Sequence, residues 1–467
     1  DVYNPLWENE YNDDGSLKSI TDQNGLTVEI KYDNFNRPSE VVKDGETSVE
    51  FTYQLQSYPN YMKAKAKIDD GQYSESTEFF DGLGKATEVR SKNGAKEIIS
   101  KTEYNNIGKV IKSYKPYYSD ETPSGLFTET VYYNEPSARL GVINQPGYLG
   151  QVRTSYGKDA DGNFVIVKDE IGHYIKSVTD VFGNLIKVYE NSSDGVSFAN
   201  ENDYTYDAVG NLKTIKDAKG NVVQNTYDSL NRLITNVHPD TGTTTSVYDD
   251  LGNLIQSTDA KGNVINYEYD KLNRLIKKDF SGDADVVNTY DNGCLDNDYS
   301  KNKLCKVTNG IETARFAYDK RGRVVKQEIK ISDLSLNIER IFSLDYTYNS
   351  VDNVIAETIK EGETEHTLNY YYDDLNRLSK VELDEKEVAS YAYNPTSTIK
   401  NLKLGNSITT NYDYNERDWL KTIDSPIANF GYTYDNVGNV QSLSQQNGES
   451  KTASFAYDNL DRLTSST

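Results

Sequence analysis

Tyr-Asp recurs every 21 residues through the middle of this 467-residue chain: Tyr206-Asp207, Tyr227-Asp228, Tyr248-Asp249, Tyr269-Asp270 and Tyr290-Asp291. A fixed period of this length marks a repeat architecture, in which each unit is one supersecondary element buried only against its neighbours. Further copies stand at Tyr32-Asp33, Tyr318-Asp319, Tyr372-Asp373, Tyr434-Asp435 and Tyr457-Asp458, with Asn replacing Asp at Tyr348-Asn349, Tyr393-Asn394 and Tyr414-Asn415. The full motif is Tyr-Asp-x-x-Gly/Asn-Asn/Arg-Leu, as in Tyr206 to Leu212 and Tyr227 to Leu233. Residues 206–247 and 248–289 align without a gap, a duplication above the basic repeat.

Each position has a physical reading. The alternation Val223, Asn225, Tyr227 before the turn is a strand pattern of period 2. The aspartates Asp207, Asp228, Asp249 and Asp270 are placed to accept hydrogen bonds from the backbone N–H groups that follow, closing a turn. Gly210 and Gly252, or Asn at the same position in other copies, suit a left-handed backbone. The Leu two residues on starts a return strand, and a second turn, Asp217–Asn221 or Asp259–Asn263, completes the unit. No window carries a sustained helical stripe of apolar residues. The expected fold is all-β, a continuous antiparallel ribbon wound as an open spiral or partial hollow shell. Two strands per 21 residues allow at most ~44 strands, or ~34 with insertions, and a ribbon of ~160–210 Å, enough for roughly one circuit. Along the chain we expect divergent repeats over 1–112, an irregular Pro-containing stretch or insertion over 113–200, regular repeats over 201–292, divergent repeats with a Cys pair over 293–347, and repeats truncated at the C-terminus over 348–467.

Composition narrows the function classes. Lys and Arg number 50 against 73 Asp and Glu, a net charge of −23, which opposes binding to nucleic acid through phosphate contacts. No apolar run approaches the ~20 residues of a membrane span. Three scattered histidines, His173, His238 and His366, leave little material for a metal site or a catalytic triad. The chain opens at Asp1 without a signal-peptide pattern, so a targeting signal is expected outside it.

The repeat resembles the YD or RHS repeats of bacterial secreted toxins, also found in the teneurin adhesion proteins of animals. The resemblance is strong over 201–292 and 366–467, weaker over 1–112, and reduced over 113–200 to Phe182-Gly183-Asn184-Leu185 and fragments. It implies a spiral wall around a chamber, secreted or at the bacterial cell surface, enclosing a toxin or effector polypeptide or continuing into further repeats of the same protein. Family members that process themselves carry a separate core segment, which no residue here matches, so the resemblance brings no self-cleavage with it.

Tyr is the commonest aromatic, 38 residues against 13 Phe and 2 Trp. Tyr206, Tyr227, Tyr248 and Tyr269 read as a structural ladder, each ring buried on one side with its hydroxyl seeking a polar partner. The rival reading is an adhesin in which exposed tyrosines and carboxylates hold a glycan. The identical aspartates supply one environment many times over, whereas an acid–base carboxylate pair needs two different ones. No catalytic residue, cofactor site or metal site is assigned. Asp159, Asp161, Asn163 and Glu170 fit four positions of a calcium loop, but Phe164 stands where that loop needs Gly, so they read as another repeat turn. Cys294 and Cys305, 11 residues apart, do not match a CxxC site; a disulfide, two free thiols and metal ligation stay open.

Overall fold

A computed structural model describes residues 7–56, 58–122, 125–134, 137–192, 194–198, 200–296, 298–333, 338–447 and 449–467. Forty-one strands occupy them, paired antiparallel and nearly always with strands adjacent in sequence. The sheet they form is not closed. The one helical element among the described residues is a 3-10 turn at Pro146–Tyr148.

The hairpin geometry follows from the motif. Strand Asn200–Tyr206 pairs with Leu212–Lys216, with Tyr206 opposite Leu212 and a register shift between Thr205 and Tyr206. The same shift stands before Tyr227, Tyr248 and Tyr269. It arises because the turn is a tight one followed by a left-handed residue: Gly210 N–H donates to Asp207 O and Asp207 N–H to Asn211 O. The residue in between adopts φ 93° at Gly210, 63° at Asn231, 91° at Gly252 and 58° at Asn273. This is a bulged hairpin, and Gly and Asn are the residues that tolerate its positive φ. The second turn repeats the same chemistry, with Gly220 at φ 88° and the same pair of backbone bonds between Asp217 and Gly220 and Asn221. Both ends of this unit are therefore built alike, whereas the next unit closes at His238–Gly242, where the His238 ring accepts from the Asp240 N–H at 3.1 Å.

The irregular stretch departs from the simple ribbon. A two-residue strand, Tyr117–Tyr118, turns back to pair with Ile99 and Ile98 of strand Lys96–Tyr104. Strand Val110–Tyr114 pairs instead with Phe127–Tyr132. Beyond it, the strands from Leu140–Asn144 to Leu185–Ser192 resume neighbour pairing.

Two compact units result, each assembled from distant parts of the chain. One comprises Asp1–Glu103, Lys115–Pro123 and Ala284–Thr409. Within it, Ser350 N–H donates to Ile68 O at 2.9 Å, the Gln72 amide to Tyr372 O at 3.0 Å, Gly94 N–H to Asp374 at 3.0 Å, and Tyr118 to Tyr393 O at 3.2 Å. The last three pairs are 300, 280 and 275 residues apart in sequence. Repeats therefore meet edge to edge at a separation well short of the chain's length, which an arithmetic of roughly one circuit does not foresee. Ile68, Ile98, Ile99 and Asn349 are buried there. The other unit comprises Tyr104–Tyr114, Ser124–Asp283 and Thr410–Thr467. In it Arg417 and Glu170, 247 residues apart, form an ion pair at 2.8 Å.

Few side chains are fully buried. The accessible surface is 27777 Å², against about 17,600 Å² expected of a compact monomer of this size. Most strand residues are only partly buried, so stability rests heavily on bonds within and between repeats.

Candidate functional site

The recurrent site is the junction between one repeat and the next. At its base the Asp207 carboxylate accepts from the N–H groups of Val209 and Asn211 at 3.0 and 2.9 Å, while its second oxygen takes the Asn211 amide at 2.9 Å. Asp249 does the same with Leu251 and Asn253. At Asp228 and Asp270 an arginine replaces the asparagine: Arg232 Nε and Arg274 Nε each reach the carboxylate at 2.7 Å.

These donors lower the carboxyl pKa values. The Asn211 and Asn253 amides lead the effect at Asp207 and Asp249, and the backbone N–H of Arg232 leads it at Asp228. Burial opposes ionisation at Asp270, yet the backbone N–H and guanidinium of Arg274 still hold that carboxyl below the usual range. Asp458, with Arg462 as its side-chain partner, falls to about 2. Asp207, Asp228, Asp249, Asp270 and Asp458 thus sit in the same kind of donor-rich turn.

The tyrosines close the junction from above. Tyr206 OH donates to Leu185 O at 2.8 Å, Tyr227 to Leu212 O at 2.9 Å, Tyr248 to Leu233 O at 3.1 Å and Tyr269 to Leu254 O at 3.0 Å. The acceptor is in each case the residue that begins the return strand of the preceding unit. Tyr318, Tyr372, Tyr393 and Tyr434 follow the same rule on Leu304, Val354, Leu378 and Leu420. Burial raises the pKa of Tyr206, Tyr269, Tyr318, Tyr372, Tyr393 and Tyr434.

The arginine of one turn also serves the next repeat. The Arg232 guanidinium lies 4.9 Å from the Tyr248 ring centre and its Nη1 donates to Asp249 O at 2.6 Å. Arg323 spans to Tyr348 and Asn349, and Arg377 to Tyr393 and Asn394, in the same way. Where the turn carries Asn instead, the amide crosses to the next turn: Asn211 to Asn231 at 2.9 Å and Asn253 to Asn273 at 3.2 Å. The Asp–Arg pair is therefore one limb of a three-way contact. The Arg232 and Asp228 side chains are only 23% and 21% exposed, so solvent screens the pair less than an open surface bridge.

Cys294 and Cys305 are joined by a disulfide and both are buried. The four residues of the calcium-like spacing are engaged separately. Asp159 accepts from the N–H groups of Asp161 and Gly162 and pairs with Lys176 at 2.6 Å, while Glu170 turns to Arg417 and to the Gln145 amide at 3.0 Å. Among the described residues no three acidic, His or Cys side chains come together in a way that could hold a metal ion, and no helix is long and apolar enough to cross a membrane. The Arg417–Glu170 pair escapes sequence reasoning altogether, because nothing in either local motif announces a partner so far along the chain.

Comparison with known proteins places this geometry. Residues 206–244 and 248–284 match the family model described as RHS Repeat, and residues 51–153 match a model described as Domain of unknown function (DUF6443). No curated protein matches. Among solved structures, the crystal structure of TcdB2-TccC3 superposes with a TM-score of 0.84 at 16% identity, covering 98% of this chain and 29% of that one. TcdB2-TccC3-Cdc42 gives 0.82 at 14%, covering 98% and 31%. The Photorhabdus luminescens Tc holotoxin pore gives 0.81 at 14%, again covering 98% and 31%. At these identities the likeness is one of fold, and the chain spans less than a third of the chains it matches.

Proposed function

We propose that this chain, in which residues 206–244 and 248–284 match the RHS Repeat model, forms part of the wall of a secreted shell that encloses or presents a toxin or effector polypeptide. The observation that carries this reading is the likeness in fold over 98% of the chain to structures that include the Photorhabdus luminescens Tc holotoxin pore. The mechanism is enclosure. A one-layer sheet locked by backbone-directed bonds covers a large area with little polypeptide, and it shields whatever lies behind it without chemistry of its own. The net charge of −23 attracts a basic cargo.

The carboxylates support a non-catalytic wall, since Asp207, Asp228, Asp249 and Asp270 share one donor-rich turn environment. A glycan-binding face built from the repeat tyrosines has less support, because their hydroxyls already serve backbone carbonyls. The test is limited proteolysis of the full natural protein. A polypeptide held behind the wall should resist protease until denaturant opens the repeats. Cleavage of every non-repeat segment at the rate of an unfolded chain would overturn the enclosure reading.

A further inference from the structure

Across the irregular stretch, Arg153 in strand Gln151–Lys158 stands directly opposite Lys168 in strand Asn163–Lys168. Like charges facing each other across an antiparallel pair oppose folding, and here no carboxylate relieves them. Arg153 Nη2 donates to the neutral Gln151 side chain at 2.7 Å, and neither cation forms an ion pair among the described residues. The acidic residues just beyond Lys168 are already committed. Asp169 caps its own turn through the N–H groups of Ile171, Gly172 and His173, and Glu170 binds Arg417 and Gln145.

The two cations line an open cavity of about 490 Å³, together with Tyr133, Val142, Ile166 and Tyr174. That volume is within the usual range of small-ligand sites. Its walls are braced: Tyr133 OH is tied to Thr154 O at 2.8 Å, and Lys168 Nζ lies 5.2 Å from the centre of the Tyr174 ring. A neighbouring cavity of about 700 Å³ shares Tyr133 but has neither lysine nor arginine in its lining, so the positive charge belongs to the first alone. In a chain of net charge −23, two facing cations without a counter-charge beside a braced aromatic cavity call for an anion from outside.

We propose that this cavity binds a small ligand through an oxyanion, carboxylate or phosphate, held between Arg153 and Lys168, with Tyr133 and Tyr174 flanking the body that carries it. The fork of Arg153 gives paired donors to such a group and Lys168 a point charge.

Calorimetric titration of the protein with galacturonate and with inorganic phosphate, separately and in competition, tests this. At least one probe should bind, with affinity falling as salt rises, and Arg153→Gln or Lys168→Gln should weaken it about tenfold or more. The charge-conserving Lys168→Arg should retain binding, which separates loss of the site from loss of the fold. Phosphate displacing galacturonate identifies a general oxyanion site. Galacturonate binding that phosphate leaves untouched identifies a carboxylate carried on a ring. No heat from either probe at millimolar concentration, or binding that both Gln substitutions leave unchanged, would overturn the proposal.

Discussion

The hydroxyl of Tyr227 donates to the backbone carbonyl of Leu212, 2.9 Å away and 15 residues earlier in the chain. The bond joins consecutive repeats at the point where the return strand begins, so removing it should loosen that junction alone. Tyr227→Phe keeps the ring and removes one of two donors to the Leu212 carbonyl, which still accepts from the Asn225 amide at 3.0 Å, so the cost should be about 1 kcal/mol. Hydrogen exchange should quicken over the strands from Asn200–Tyr206 to Gly242–Tyr248 and stay unchanged in remote repeats, because stability in a linear array is local. Uniform acceleration along the chain would contradict that picture.

The left-handed turn position makes a sharper test of backbone against packing. A side chain at Gly210 would meet nothing within 4 Å, yet φ there is +93°. Gly210→Val should therefore destabilise the adjoining repeats by about 1–2 kcal/mol or more through strain alone. Asn231→Gly, at φ 63°, leaves the backbone unstrained and loses only the exposed bond from the Asn211 amide, so it should cost no more than about 1 kcal/mol. Chemical denaturation monitored through the repeat tyrosines compares the two.

Ionisation frames the usable pH range. The turn aspartates Asp207, Asp249 and Asp458 have lowered pKa values, led by the side-chain donors Asn211, Asn253 and Arg462. Their contribution is whole above the ordinary carboxyl value of ~3.9 and is lost as pH falls through the folded values, which for Asp458 is about 2. Tyr206, Tyr269 and Tyr393 are raised by burial. Theirs is whole below ~10 and is lost as pH climbs through the higher folded values. Thermal unfolding midpoints should be level between roughly pH 5 and 9, then drop on both sides. On the alkaline side the fall should track the rise in tyrosinate absorbance, and a fall that precedes it would count against the hydroxyl bonds as the cause.

The pair Arg417–Glu170 ties together residues 247 apart, with side chains 13% and 7% exposed. Arg417→Met strands the Glu170 carboxylate and should cost about 3 kcal/mol. The double variant with Glu170→Met should recover most of that, since neither charge is then left alone. A double-mutant cycle in urea measures the coupling, and additive losses would show that the pair matters only through its separate members.

Reduction of the Cys294–Cys305 disulfide should destabilise its own repeats by about 3 kcal/mol, the loop-entropy value for a closure of this size. Mass spectrometry with and without reductant establishes the bond, and exchange rates near Leu304–Thr308 report the effect.

The regular hairpins were legible because each instruction is local and repeated: Asp207 before Gly210, Asp228 before Asn231, alternation up to the next Tyr. The tyrosine ladder was legible as a ladder, but not its acceptor, because a backbone carbonyl leaves no mark in sequence. The likeness of the two turns was half hidden, since Asp217–Asn221 lacks the preceding Tyr. The excursion of Tyr117–Tyr118 to Ile99 and the meeting of Glu170 with Arg417 were not legible at all. Both depend on where distant repeats come to lie, and ordinary polar and aromatic residues carry no address for a partner hundreds of positions away.

The choice of acceptor has one more consequence. A hydroxyl that seeks a main-chain oxygen is indifferent to which residue owns it: Leu212, Val354 and Leu420 serve equally. Any unit that ends in the proper turn can follow any other. Genes encoding such a ribbon can gain, lose or shuffle whole 21-residue cassettes by recombination and keep the tyrosine bond at each new junction.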